Sequence, residues 1–231
     1  MPATSLVRYK EEAMKKILFT GFEPFGKDTT NPSWESVKLL PDQVEDCIIV
    51  KRCMPVEYDR VAELLRQAVK EEKPDAVICV GQAGGRAVLT PEMVAINLND
   101  ASIPDNAGIL HGGEPICADG PAAYFATIPV KAIALGMQDA GVPSAVSYSA
   151  GTYVCNNIMY HLLRLLEMEH PAVKGGFIHV PYECGQVLGK TNMPSLPIAM
   201  IAEGLKAAAC VTAKSLESGS GDISVASGNT H

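Results

Sequence analysis

The run Ala76-Val77-Ile78-Cys79-Val80 is apolar on five successive residues and is closed on either side by Asp75 and Gly81. A strand with one face in water would alternate, and a helix would need a longer pattern. A run of this length and evenness reads as a strand buried on both faces, and such strands belong to parallel sheets covered by helices on each side. The remainder of the chain agrees. KKILFT, CIIVKRCMPV, MVAINL, SAVSYS and GGFIHVPY read as further extended segments. Between them lie helical patterns: NPSWESVKLL with Asn31-Pro32-Ser33 as its cap, EYDRVAELLRQAVKEEKP with Val61, Leu64, Leu65, Ala68 and Val69 at helical spacing, the stretch 129–140, TYVCNNIMYHLLRLLEMEH and PIAMIAEGLKAAACVTAKSL. Strands alternating with helices predict an α/β protein, a three-layer α/β/α sandwich with a largely parallel twisted central sheet in a single domain. That domain spans 15–216. A polar extension, 1–14, precedes it, and a Gly/Ser-rich tail, 217–231, is expected to be disordered and dispensable.

Composition narrows the function. Nineteen Lys and Arg against twenty-six Asp and Glu leave a formal charge of −7, which repels phosphate backbones and argues against nucleic acid as a partner. No apolar run reaches the length of a membrane span, and the charged N-terminus does not read as a secretory signal. Seven cysteines, an odd number without a CxxC pair, argue against a disulfide framework or a zinc site and fit a reducing, cytoplasmic setting. QAGGR has neither GxGxxG nor the GxxxxGK[ST] lysine, so it does not read as a nucleotide-phosphate loop. No cofactor and no metal is implied.

Ligands of an open parallel sheet collect beyond the carboxyl ends of its strands, so reactive side chains there are the candidates. Cys155 follows SAVSYSAGT and falls in the first turn of the next helix. Unpaired N–H groups and the helix dipole there favour a thiolate and can hold an oxyanion. His179 ends GGFIHV and can take the thiol proton. Glu92, after Pro91, can orient the imidazole, with Glu23 of GFEPFG competing for that role. Position alone leaves open a packed inert thiol, a core histidine satisfied by backbone and a solvated turn carboxylate. Phe22 and Phe25, at the end of the first strand, are either plain core or walls of an apolar pocket for a small uncharged group. The Gly-, Pro-, Asn- and Asp-rich stretch 99–121 is long for a connector, as functional loops are.

GFEPFG, NPSWE, GQAGGR, TPEMVAINLNDASIPDNAG, SAGTYVCN and GGFIHVPY, in this order, closely resemble pyroglutamyl peptidase I, a family of cysteine peptidases. The resemblance implies hydrolysis of an N-terminal pyroglutamyl residue from peptides through a thiol acyl-enzyme, with pyroglutamyl peptides as the partners and a homotetramer as the assembly. It puts the catalytic cysteine, histidine and glutamate on Cys155, His179 and Glu92. It puts the pyroglutamate pocket on Phe22, Phe25, Gln82, Ile103, Tyr153 and Val154. One position departs from the pattern: Ser102 stands before IPDN, where many members carry an arginine credited with helping the oxyanion. Backbone N–H groups around Cys155, or Arg86, are the donors left to replace it, and a protein that binds without turnover is the alternative this departure opens. The substrate chemistry agrees with the residues. A pyroglutamyl end is a neutral lactam, which calls for apolar walls and a few amide hydrogen bonds; a site pairing its N–H and C=O rejects proline, which has no ring carbonyl.

Overall fold

The computed structural model describes residues 14–228. All of the N-terminal extension except Met14 lies outside the described residues. The first half runs β1 (Lys15–Phe22), α1 (Pro32–Leu39), β2 (Gln43–Val44), β3 (Cys47–Met54), α2 (Tyr58–Glu72), β4 (Ala76–Gln82) and β5 (Thr90–Glu92). Four short strands follow, β6 (Val94–Ile96), β7 (Asn99–Asp100), β8 (Gly112–Glu114) and β9 (Ala123–Phe125), paired β6 with β9 and β7 with β8. The second half contains α3 (Val130–Asp139), α4 (Val154–Glu169), β10 (Lys174–Val180), β11 (Tyr182–Glu183), the 3-10 turn Cys184–Val187, β12 (Ser195–Leu196) and α5 (Ile198–Ser218).

The central sheet has the order β2-β3-β1-β4-β10-β5. Its four inner strands are parallel, and the short edge strands β2 and β5 are antiparallel to their neighbours. Period-two alternation divides each inner strand between two cores. Ile17, Phe19, Ile78, Val80, Ile178 and Val180 pack against α1, α3 and α5. Leu18, Phe22, Val77, Cys79 and Phe177 pack against α2 and α4. The expected three layers are thus present, and the evenly apolar runs are those of strands buried on both faces.

Local sequence explains the entry points. Asn31 caps α1 by accepting from Ser33 N at 3.1 Å, and Ser33 Oγ accepts from Phe22 N at 2.9 Å. The cap therefore also ties down the end of β1. The stretch 99–121 is held to α2 by Asp105, whose Oδ2 accepts from Tyr58 N at 2.9 Å while Oδ1 closes its own turn on Ala107 and Ile109.

Two expectations need correction. SAVSYS forms only isolated parallel bridges, Leu89 to Ser144 and Glu92 to Ser147, outside β5. Ala145 N and Ser147 N donate to the Leu89 and Pro91 carbonyls, but Pro91 has no N–H to return a bond, so the ladder is interrupted. The stretch after 216 is not a free tail as far as it is described. α5 continues to Ser218, and Asp222 then accepts from Lys131 N at 2.8 Å and Ala132 N at 3.0 Å. Those are first-turn donors of α3, whose own cap residue, Pro129, offers no side-chain acceptor.

Candidate active site

Cys155 is the second residue of α4, and the helix directs its sulfur at the sheet. A Cβ placed on Gly81 would stand 2.8 Å from Cys155 Sγ and 2.6 Å from Phe177 Cζ. The thiol therefore rests in the space that a missing side chain leaves on β4. Gly81 is the register partner of His179 on β10, and paired residues of neighbouring strands share a face. Thiol and imidazole consequently lie on the same side of the sheet, one strand apart. Tyr153, the cap residue of α4, makes no side-chain cap, which leaves the first-turn N–H groups beside the sulfur free to receive an oxyanion.

β5 supplies the carboxylate. Its antiparallel pairing with β10 sets Phe177 opposite Glu92 and His179 opposite Thr90. Glu92 is fully buried, and His179 Nδ1 donates to its Oε1 at 2.7 Å. That bond leaves Nε2 as the ring nitrogen available for proton exchange. Arg86, on the β4–β5 connection, donates to the same Oε1 at 2.6 Å, to Thr90 Oγ1, and to the Ser149 carbonyl at 3.1 Å. Its guanidinium thus faces the carboxylate. Glu23, the competing acid, instead accepts from Asn106 at 3.0 Å.

The electrostatics follow from this packing. Burial works to raise the pKa of Glu92, yet the His179 hydrogen bond and the neighbouring charges hold it below the ordinary carboxylate value, so it stays ionised. Burial lowers the pKa of His179 despite the Glu92 partner. At Cys155 the expected thiolate is not the favoured form. Burial of the sulfur, with the negative charge of Glu92 behind it, pushes the thiol up to about 12, and Arg86 offsets only part of this. The helix terminus is outweighed because a bare thiolate would have to give up water.

Beside the sulfur lies a cavity of about 30 Å³ lined by Phe22, Phe25, Asn31, Val56, Gln82, Tyr153, Val154 and Cys155. Five of the six residues expected to form a pocket meet there. Ile103 does not: it is 45% exposed and stands outside the lining. Asn31 and Val56 were missed. Asn31 reads first as a helix cap, which it is, and Val56 as the end of a strand; neither role signals a pocket. Ser102 lies exposed on the loop beside Ile103. Among the described residues no group of three or more His, Cys, Asp or Glu side chains is arranged to hold a metal ion, and no helix is long and apolar enough to cross a membrane.

Residues 15–215 match the sequence profile of the family described as pyroglutamyl peptidase. The chain is 48% identical over 216 residues to the pyrrolidone-carboxylate peptidase of Lactobacillus johnsonii, covering 94% of this chain and 100% of that one. With the Bacillus subtilis protein of the same name it shares 48% identity over 201 residues, covering 87% and 93%. Its structure superposes on the crystal structure of Bacillus amyloliquefaciens pyroglutamyl peptidase I with a TM-score of 0.86, at 47% identity and 90% and 100% coverage. On pyrrolidone carboxyl peptidase from Thermococcus litoralis the TM-score is 0.89, at 39% identity and 92% and 100% coverage.

Proposed function

The chain belongs to the pyroglutamyl peptidase family and is a cysteine-type peptidase that removes N-terminal pyroglutamate, and we propose that Cys155, His179 and Glu92 carry the reaction. The single observation behind this assignment is the buried Glu92–His179 pair on the same sheet face as a thiol seated over Gly81. The chemistry divides into two half-reactions. Cys155 Sγ attacks the pyroglutamyl carbonyl carbon as its proton passes to His179 Nε2, and the oxyanion forms against the first-turn N–H groups of α4. The imidazolium then gives that proton to the leaving amine, the C–N bond breaks, and a thioester remains. Water attacks the thioester, loses a proton to His179, and pyroglutamic acid leaves as the thiol regains its hydrogen. Glu92 holds the ring in the tautomer with its proton on Nδ1 and balances the transient positive charge.

The lactam ring occupies the cavity beside the sulfur, with Phe22, Phe25, Tyr153 and Val154 as its apolar walls and Gln82 as a polar contact. Phe22 is only 2% exposed and held by its backbone bond to Ser33. Phe25 and Tyr153 are only partly buried, and their rings sit 6.1 Å apart on the open side of the cavity. The assembly is a cytoplasmic homotetramer. Free thiols throughout and large exposed apolar side chains, Leu188 at 82% and Met168 at 69%, support that reading. Light scattering is expected to give four times the mass of one chain.

The decisive experiment is hydrolysis of a pyroglutamyl-coumarin amide. The protein should release the coumarin, and Cys155→Ala should release none. Retained turnover in that variant removes Cys155 from the mechanism.

A further inference from the structure

Three segments far apart in sequence meet at one carboxamide. Gln82 ends β4 and lines the cavity beside Cys155. Its Oε1 accepts from Gln186 Nε2 at 2.9 Å, and its own Nε2 donates to Asp28 Oδ2 at 3.3 Å. Gln186 Nε2 donates to the same Asp28 oxygen at 3.0 Å and to the Thr30 carbonyl at 3.3 Å. Neither Asp28 nor Gln186 belongs to the cavity wall.

This arrangement decides which way Gln82 faces. The oxygen and nitrogen of a primary amide are nearly equal in size, and only the surrounding hydrogen bonds distinguish the two orientations. Gln186 is oriented by the turn that bears it. Its Oε1 accepts from Glu183 N at 3.0 Å, in a capping box whose other half is Glu183 Oε2 accepting from Gly185 N at 2.8 Å. With its oxygen engaged there, Gln186 offers only N–H to its other neighbours, and a carboxylate only accepts. Gln82 must therefore turn its oxygen to Gln186 and its nitrogen to Asp28. Gln186 Nε2 and Asp28 Oδ2 are 3.0 Å apart, so both face the edge on which the Gln82 oxygen and nitrogen adjoin, and the N–H and lone pair that remain point to opposite flanks of the amide. Orientation therefore decides whether the flank turned to the cavity carries a donor or an acceptor, and the reversed amide would set donor against donor at Gln186.

We propose that Gln186 and Asp28 are a positioning pair that sets specificity for a cyclic amide by holding the Gln82 carboxamide in this one orientation. The proposal rests on the lactam-binding reading above. Gln82 is only 9% exposed, so an amide held in the wrong sense cannot fall back on bulk water.

The test uses the full chain. Gln186→Glu keeps the side-chain shape and the oxygen that caps the turn, but replaces the donor by a second acceptor facing Asp28 and Gln82. KM for the pyroglutamyl-coumarin amide should rise roughly tenfold or more while kcat stays within about threefold. Inhibition by 2-pyrrolidinone should weaken in parallel. The iodoacetamide reaction of Cys155 should keep its rate. An unchanged KM, a loss confined to kcat, or undiminished inhibition by 2-pyrrolidinone overturns the proposal. If Gln186→Glu does not fold, Asp28→Ala removes the other anchor without touching the turn and must show the same split between KM and kcat. A wild-type protein that turns over no pyroglutamyl substrate, or a fully active Cys155→Ala, would defeat the peptidase assignment itself, an outcome separate from these.

Discussion

At Cys155 two effects oppose each other. A helix N-terminus stabilises a thiolate, whereas burial among protein atoms and the charge of Glu92 destabilise it, and burial prevails. In the mechanism proposed above the thiol and the imidazole both rest neutral, and the proton would move as the bond to carbon forms. Ultraviolet thiolate absorbance at pH 7 should therefore be the same for the wild type and Cys155→Ala; an extra thiolate band in the wild type would contradict this. As the base proposed above, His179 must be neutral, and it is shifted below 6.5, so the acidic limb of kcat/KM should also fall below 6.5. Arg86 contributes to that lowering. Arg86→Met should move the limb upward and cost about 2 kcal/mol of stability from a lost charged hydrogen bond, while Arg86→Lys should restore the limb. A limb that does not move would reduce Arg86 to a structural ion pair. At this scale the proposed reacting groups were legible because a thiol, an imidazole and a carboxylate each fell at an element end. Asp28 and Gln186 were not, since their chemistry lies in orienting another side chain.

Among the elements, the packing of α4 on β4 depends on the absence of one carbon. Gly81→Ala would drive a methyl into Phe177 and the Cys155 sulfur, so about 1–3 kcal/mol of stability and, on the proposed mechanism, most of the activity should be lost together. A variant of normal stability and turnover would show that α4 can shift freely over the sheet. The C-terminal stretch acts in the same structural sense. Asp222 gives α3 the cap that Pro129 cannot provide, Lys131 Nζ donates to the Val225 carbonyl at 2.7 Å, and Tyr148 meets Ser227 at 3.3 Å. Asp222→Ala should lower stability by about 1 kcal/mol in chemical denaturation, and truncation after Ser218 by at least as much. An unchanged midpoint for both would mean the stretch contributes nothing. Its Gly/Ser-rich composition reads as unstructured because a cap made across the fold leaves no periodic trace in sequence.

Over the whole molecule, one buried and one half-buried histidine contribute to the response to acid. His179 and His161 both have folded pKa values lowered by burial, so the unfolded chain takes up protons near pH 6.5 before the folded one does. Stability should fall as pH drops from about 6.5, and Glu92, lowered from 4.5, adds a further loss as pH falls below that value. Melting temperatures measured between pH 7 and 4 should show this decline, with a smaller slope in His161→Asn. A flat profile would mean that neither ring is held neutral in the folded state.

The order of the helices and of the inner strands, the double burial of those strands, the α1 cap and the residue types at the candidate site are all local properties, carried by apolar period, turn chemistry and motif, and sequence alone determined them. Tertiary structure decided everything that depends on which segments become neighbours. It made Pro91 a break in an edge ladder, turned Arg86 toward Glu92, left Ile103 outside the cavity and brought Asp28 and Gln186 to one amide. Above all it set the ionisation of Cys155, because a pKa answers to every charge and to all the water excluded around a sulfur, and those are not arranged until the chain has closed around it.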